Sequence, residues 1–436
     1  MSTKDLDIDK IISDIMARVK RAVDTGDTSG LGRFMGLQIG GIFLREAFKI
    51  LLEVYEAIGN GVISFKPITY SPTSPKSNKP IDLTGMLILP EAGKKGNIPI
   101  LCYQHGTEIY RPYSPSKFKL LKLPFNFYEF FLAAMFAIRG RYAVLMPDYP
   151  GMGGAPVNMV QPFMVVEPLV RSVVDMLEYV VNNVVTEKKG EQDCFLWNKQ
   201  IFLAGYSEGG FVTMAVARKL KQDKGRYTVT ACAPMAGPHE LYQIQMKKKF
   251  LTREKIKAGH LLTMIIRGYH EGYKDKPEIS GALTREAMRF IPEENIHCER
   301  LWDWADGNHK AEELDESKEM QDPQCDQLSD ATQKMLDDVK SPVAGVMIEN
   351  NTYKGWPVEI KDERVSHINL FHAEDDEVVP IENSKVAHKT LSTLGYDIKV
   401  TPISPLTGPG PETIHARAGI PAMYKAIEYF EPFIKK

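Results

Sequence analysis

The segment Gly205-Tyr206-Ser207-Glu208-Gly209 sets a serine between two glycines, each two positions away. That spacing suits a hydroxyl nucleophile carried on a sharp turn. A serine there is forced towards strained backbone angles, and the glycines remove side chains that would collide. With 33 glycines in the chain the pentapeptide alone is only suggestive. Its flanks strengthen it, because the apolar run IFLA leads in and GFVTMAVARKL leads out at helical spacing. A helix starting there directs free N–H groups and a partial positive charge at the hydroxyl. Gly210 adds room for that helix to lie close to the strands.

A serine hydroxyl is a weak nucleophile until a histidine removes its proton, and the histidine needs a carboxylate to fix its tautomer. The apolar run at 365–371 opens into His372-Ala373-Glu374-Asp375-Asp376-Glu377-Val378-Val379-Pro380. Of its carboxylates, Asp376 is preferred for lying three positions before the closing Val379-Pro380, and Asp375 is the main rival. The others are expected to be solvated loop charges. Beyond Asp376 only His388 and His415 remain. His388 falls at a surface-like helical position. His415 ends a Gly/Pro-rich loop at 408–415, between an expected strand at 397–401 and a last helix at 421–433, and is the expected base. His367 and His372 flank a buried strand and are expected to be satisfied polar residues.

An acyl-transfer intermediate needs two N–H donors aimed at its developing charge. One is the backbone N–H of Glu208. The other is expected from Gly106 or Thr107, in the loop that follows IPILCY, with His105 bracing that loop. Asp148-Tyr149-Pro150-Gly151 forms a second turn on the same sheet edge, where open α/β sheets bind ligands. His105, Tyr149 and Tyr206 are candidates for the pocket wall, and the apolar 261–266 with Trp302 and Trp304 suggest an apolar acyl or aromatic site.

The elements that must position these groups follow from periodicity. Strands are expected at 62–70, 83–89, 98–103, 142–146, 200–204, 227–233, 365–371 and 397–401. Helices are expected at 128–138, 167–182, 209–220 and 382–394, besides the last one. Short continuous apolar runs alternating with helices indicate a mostly parallel central sheet flanked by helices. Residues 61–237 and 358–436 form this core, 238–357 reads as a helical insertion, and 1–60 as a helical N-terminal extension.

Length and composition agree with one large α/β domain carrying insertions. The 436 residues are 43% hydrophobic and 25% charged, ordinary globular values that exclude a disordered chain. Lys plus Arg (54) nearly balances Asp plus Glu (56), which leaves no basic footprint for nucleic acid. Five cysteines without CxxC spacing indicate free or buried thiols rather than a disulfide frame or a zinc site. The charged amphipathic start is no secretory leader, and 37–58, broken by five charges, is no membrane span. A cytoplasmic location is therefore expected.

Taken together, Ser207, Asp376 and His415 in that order, with both oxyanion elements, resemble the α/β-hydrolase superfamily over roughly 62–240 and 358–436. The His105-Gly106-Thr107 loop, the Asp148-Tyr149-Pro150-Gly151 turn and Gly205 to Gly210 look most like its secretory lipase and esterase branch. The resemblance implies hydrolysis of small-molecule or lipid carboxylic esters without cofactor or metal. It also implies that the insertion, between strands six and seven, is a lid. Acyl transfer or peptide cleavage by the same triad is the first alternative. A non-catalytic binding protein on the same fold is the second.

Overall fold

The computed structural model describes residues 41–435 apart from 72–81, 95, 109–110, 119–127, 157–158, 189–193, 224–225, 251–258, 290–329, 360–366 and 408–412. Trp302, Trp304 and most of the Gly/Pro loop before His415 lie outside the described residues, as do positions 1–40 of the N-terminal extension. Among the described residues eight strands form one sheet: β1 (Ile63–Tyr70), β2 (Leu83–Pro90), β3 (Asn97–Gln104), β4 (Ala143–Pro147), β5 (Leu196–Tyr206), β6 (Val229–Met235), β7 (His367–His372) and β8 (Ile398–Pro402). Their order across the sheet is β1-β2-β4-β3-β5-β6-β7-β8. β1 with β2 and β2 with β4 are antiparallel; every later pairing is parallel.

Period-two alternation divides the core into two layers. On β3, Ile98, Ile100 and Cys102 face one layer and Leu101 and Tyr103 the other; on β5, Ile201 and Leu203 oppose Phe202, Ala204 and Tyr206. The first layer is closed by α3 (Val166–Asn183), α4 (Glu208–Gln222) and α9 (Glu382–Thr393). The second is closed by α1 (Gly41–Gly59), α2 (Tyr128–Gly140) and α10 (Ile414–Phe430). Burial on both faces explains why β3 to β6 read as unbroken apolar runs. Among the described residues no helix is long and apolar enough to cross a membrane. Cys102 and Cys232 are buried free thiols, and burial pushes the Cys102 thiol up to about 12.

Between β6 and β7 the described chain is helical: a π-type helix (Leu241–Phe250), α5 (Gly259–Gly272), α6 (Pro277–Arg289), α7 (Asp330–Asp337) and α8 (Pro342–Glu349). Leu262, Ile265 and Ile266 of α5 are buried in the same cluster as the first sheet layer. Within the apolar run 261–266, these three side chains pack in the core, with Leu261 and Met264 partly buried against it.

The last helix differs from expectation. It starts at Ile414, seven positions before Pro421, and carries that proline inside it. Proline removes the N–H that would bond the carbonyl four residues back. Here the freed Arg417 carbonyl accepts the Leu406 N–H at 3.1 Å, so the helix continues and the preceding loop is tied to it. Thr413 caps the first turn by accepting from Ala416 N–H at 3.1 Å.

Candidate active site

β5 ends at Tyr206, and α4 begins at Glu208, so the whole reversal falls on Ser207. Its φ of 57° and ψ of −119° lie where a residue with a side chain is strained, at a cost of roughly 1–3 kcal/mol. The neighbouring glycines are sterically required. A Cβ on Gly209 would stand 2.0 Å from the Gln104 carbonyl oxygen, and one on Gly205 would stand 2.4 Å from the same atom. The Ser207 N–H donates to the Met235 carbonyl at 2.9 Å, which fixes the turn against β6.

Three sheet-edge loops then meet. Asp376 Oδ2 accepts from His415 Nδ1 at 2.6 Å, and His415 Nε2 lies 2.9 Å from Ser207 Oγ. An ionised carboxylate only accepts, so Nδ1 carries the proton and Nε2 presents a lone pair to the serine hydroxyl. His415 stands on the first turn of α10 rather than in the loop before it. Its carbonyl accepts the Tyr206 hydroxyl at 2.5 Å, and the two rings lie 5.1 Å apart.

Asp376 is buried and fully engaged. Its Oδ1 accepts the Val378 and Val379 N–H groups at 2.9 and 2.8 Å, and His372 Nε2 stands 3.5 Å from Oδ2. Burial alone would push this carboxyl up. His415, through its charge when protonated and its hydrogen bond, together with the neighbouring His372, outweighs it and holds the group well below the usual carboxylate range. His372 is satisfied as expected, with Nε2 donating to the Val379 carbonyl at 2.8 Å and Nδ1 accepting from the Ser384 hydroxyl at 2.7 Å. Glu374 and Asp375 are exposed. Glu377 departs from the expected solvated charge: its carboxylate accepts the Ile414 N–H at 2.9 and 3.0 Å, one residue before His415.

The oxyanion side is built differently. Glu208 opens α4, so its N–H is one of the helix-end donors without an intrahelical acceptor. The Gly106 N–H, one of the two candidates in the facing loop, donates instead to Glu129 Oε2 at 2.8 Å. That commitment leaves Thr107 as the remaining candidate. The three pocket candidates, His105, Tyr149 and Tyr206, are engaged in internal contacts. All three are buried, with the His105 ring stacked 4.1 Å from Tyr149, the Tyr149 hydroxyl donating to the His105 carbonyl at 2.8 Å, and Tyr206 bracing His415. His105 Nδ1 donates to the Gly106 carbonyl at 2.8 Å, and burial lowers this imidazole to about 4, so it is neutral at pH 7.

Two carboxyls beside this loop are displaced upwards. Burial pushes Glu129 up to about 7, against the hydrogen bonds from Tyr103 and Gly106 and the charge of His415. Burial, and then the neighbouring Glu129 charge, raise Glu208 well above the usual range. Glu129 was the residue sequence reasoning missed. Its signal was present: a single acid in the first turn of an otherwise apolar helix, YEFFLAAMFAI. Among the described residues no group of three or more His, Cys, Asp or Glu is placed to hold a metal ion.

No protein-family model matches this sequence, and no curated protein does. Solved structures do share its architecture. A Legionella pneumophila protein assigned as a hydrolase is 20% identical, with a TM-score of 0.64 over 85% of this chain and 89% of that one. A ligand-bound form of LipA, a rice cell wall degrading esterase from Xanthomonas oryzae, is 15% identical, with a TM-score of 0.58 over 87% and 93%. Candida antarctica lipase A is 14% identical, with a TM-score of 0.52 over 80% and 74%. The chain has the α/β-hydrolase fold. At these identities the likeness concerns fold, and the chemistry has to be argued from the residues. In this α/β-hydrolase fold the strained serine follows β5, the buried acid follows β7, and the histidine follows β8.

Proposed function

We propose that the protein is a serine-dependent carboxylic-ester hydrolase. The observation that carries this is the continuous relay from Asp376 through His415 to Ser207, at 2.6 and 2.9 Å, with the serine in a strained turn at a helix start. Ser207 Oγ attacks the ester carbonyl while His415 Nε2 takes its proton. The Glu208 and Thr107 N–H groups receive the negative charge that develops on the carbonyl oxygen. The imidazolium, held by Asp376, returns the proton to the leaving alkoxide. Water, deprotonated by the same histidine, then cleaves the acyl-enzyme and regenerates the serine. The helices between β6 and β7 would cap this edge of the sheet, and the substrate is an uncharged or lipid ester. That an esterase and a lipase share the fold agrees with ester chemistry.

A fluorophosphonate probe tests the nucleophile: wild type should label, and Ser207→Ala should not. Hydrolysis of nitrophenyl esters should fall by roughly 10⁶ in kcat in the same variant. Labelling that persists without Ser207 overturns the assignment. A chain-length series from acetate to palmitate then separates an esterase from a lipase.

A further inference from the structure

Glu129 joins two parts of the molecule that the reaction scheme leaves unconnected. It stands in the first turn of α2, and its carboxylate reaches the end of β3. Oε1 accepts the Tyr103 hydroxyl at 2.6 Å, and Oε2 accepts the Gly106 N–H at 2.8 Å. The fit at Gly106 is close: a Cβ there would meet Glu129 Oε2 at 2.8 Å and the Tyr206 carbonyl oxygen at 3.3 Å. Only glycine therefore lets the carboxylate seat against the loop. Tyr103 is a buried strand residue, so one oxygen is anchored in the sheet and the other holds the loop.

We infer that Glu129 is a positioning residue for the oxyanion loop. By accepting the Gly106 N–H it fixes that peptide plane and leaves the N–H of Thr107 as the loop's donor to the substrate. The inference rests on the ester-hydrolase reading above. Glu129 is hydrogen-bonded to Tyr103 and Gly106 and not to Ser207 or His415, so its effect runs through the loop. A loop held at only one end would let its donor drift, and a misdirected donor stabilises the developing oxyanion less without changing ground-state binding.

Reach and charge can be separated at this position. Glutamine keeps the reach: its amide oxygen can accept from Gly106 N–H while its NH₂ donates to the Tyr103 hydroxyl oxygen. Aspartate keeps the charge but is one methylene too short to span both partners. The rate of fluorophosphonate labelling at Ser207 reads the loop directly, because phosphonylation also places negative charge in the same hole. Glu129→Gln should label within about threefold of wild type, because it restores the contact. Glu129→Asp should label roughly 10–100-fold more slowly, with kcat for nitrophenyl butyrate falling in step and KM staying within about twofold. Tyr103→Phe removes the anchor but leaves the Gly106 bond, and should slow labelling about two- to fivefold. It carries the test if the aspartate variant does not melt cooperatively.

A Glu129→Asp variant at wild-type rate overturns the inference, as does a Glu129→Gln variant as slow as Glu129→Asp, or a loss confined to KM. Should the aspartate variant not fold, a Tyr103→Phe variant at wild-type rate does the same. These outcomes differ from failure of the underlying function. Labelling that is independent of Ser207 overturns the hydrolase itself, whereas Ser207-dependent labelling indifferent to Glu129 overturns only the positioning role.

Discussion

The two arms that converge on Ser207 are held by opposite means. On the acid–base arm, Asp376 takes two backbone N–H bonds and one from His415, Tyr206 holds the His415 carbonyl, and Glu377 holds the peptide before it. On the oxyanion arm, Gln104 Nε2, His105 Nε2 and Glu208 Oε2 are buried without a protein partner, and the Glu129 carboxylate and the Tyr149 hydroxyl hold the loop. The electrostatics diverge too. Asp376 is stabilised as an anion, while Glu129 and Glu208 are pushed towards their neutral forms. One arm fixes a proton path, and fixed dipoles around a permanent charge suit that. In the proposed reaction the other receives charge that exists only during turnover, and a second permanent anion beside it would oppose that charge.

The strongest way to break the rigid arm is Asp376→Asn. Val378 and Val379 N–H groups would hold the amide oxygen where Oδ1 now sits, which turns the NH₂ towards His415 Nδ1. The imidazole must then place its proton on Nε2, where it cannot accept from Ser207. A loss of roughly 10⁴ in kcat is expected, with KM little changed. A loss under tenfold in steady-state ester hydrolysis would show that the carboxylate does not set the tautomer. Tyr206→Phe is milder. It leaves the buried His415 carbonyl without its 2.5 Å donor while the ring still packs. A fall of roughly 3–10-fold in kcat is expected at constant KM. An unaltered kcat would mean that α10 alone positions the histidine.

The rigid arm was the more legible one in the sequence. Ser207 announced itself through glycines that the turn sterically demands, and Asp376 and His415 through strand-to-loop transitions late in the chain. The sheet was legible because strands buried on both faces write continuous apolar runs. What stayed hidden depends on partners far apart in sequence. Nothing local reveals the partners of Tyr206 and Tyr149, whose hydroxyls reach carbonyls 209 and 44 residues away. Pro421 suggested a helix start because the freed Arg417 carbonyl finds its donor, Leu406, only in the folded loop. Glu377 looked solvated because the N–H it caps lies 37 residues on.

The smallest effect contrasts the arms through their response to pH. Glu129 ionises near 4.3 in an unfolded chain and at about 7 in the fold. Between those values the native state keeps a proton that the unfolded chain has released, so its contribution is present at low pH and is lost as pH rises through 7. Glu208, also raised, acts in the same sense, and Asp376, lowered, acts in the opposite one: its stabilisation is present above about 4 and is lost as pH falls. Glu129→Gln removes one ionisation from the oxyanion arm and leaves the hydrogen bonds of the acid–base arm in place. Its melting temperature relative to wild type should therefore rise between pH 5 and pH 8, by roughly a few degrees, and level off above that. Scanning calorimetry across that range decides it. A difference that stays flat, or that narrows as pH rises, would mean that Glu129 is ionised at little cost in the fold, and the contrast between the arms would then rest on geometry alone.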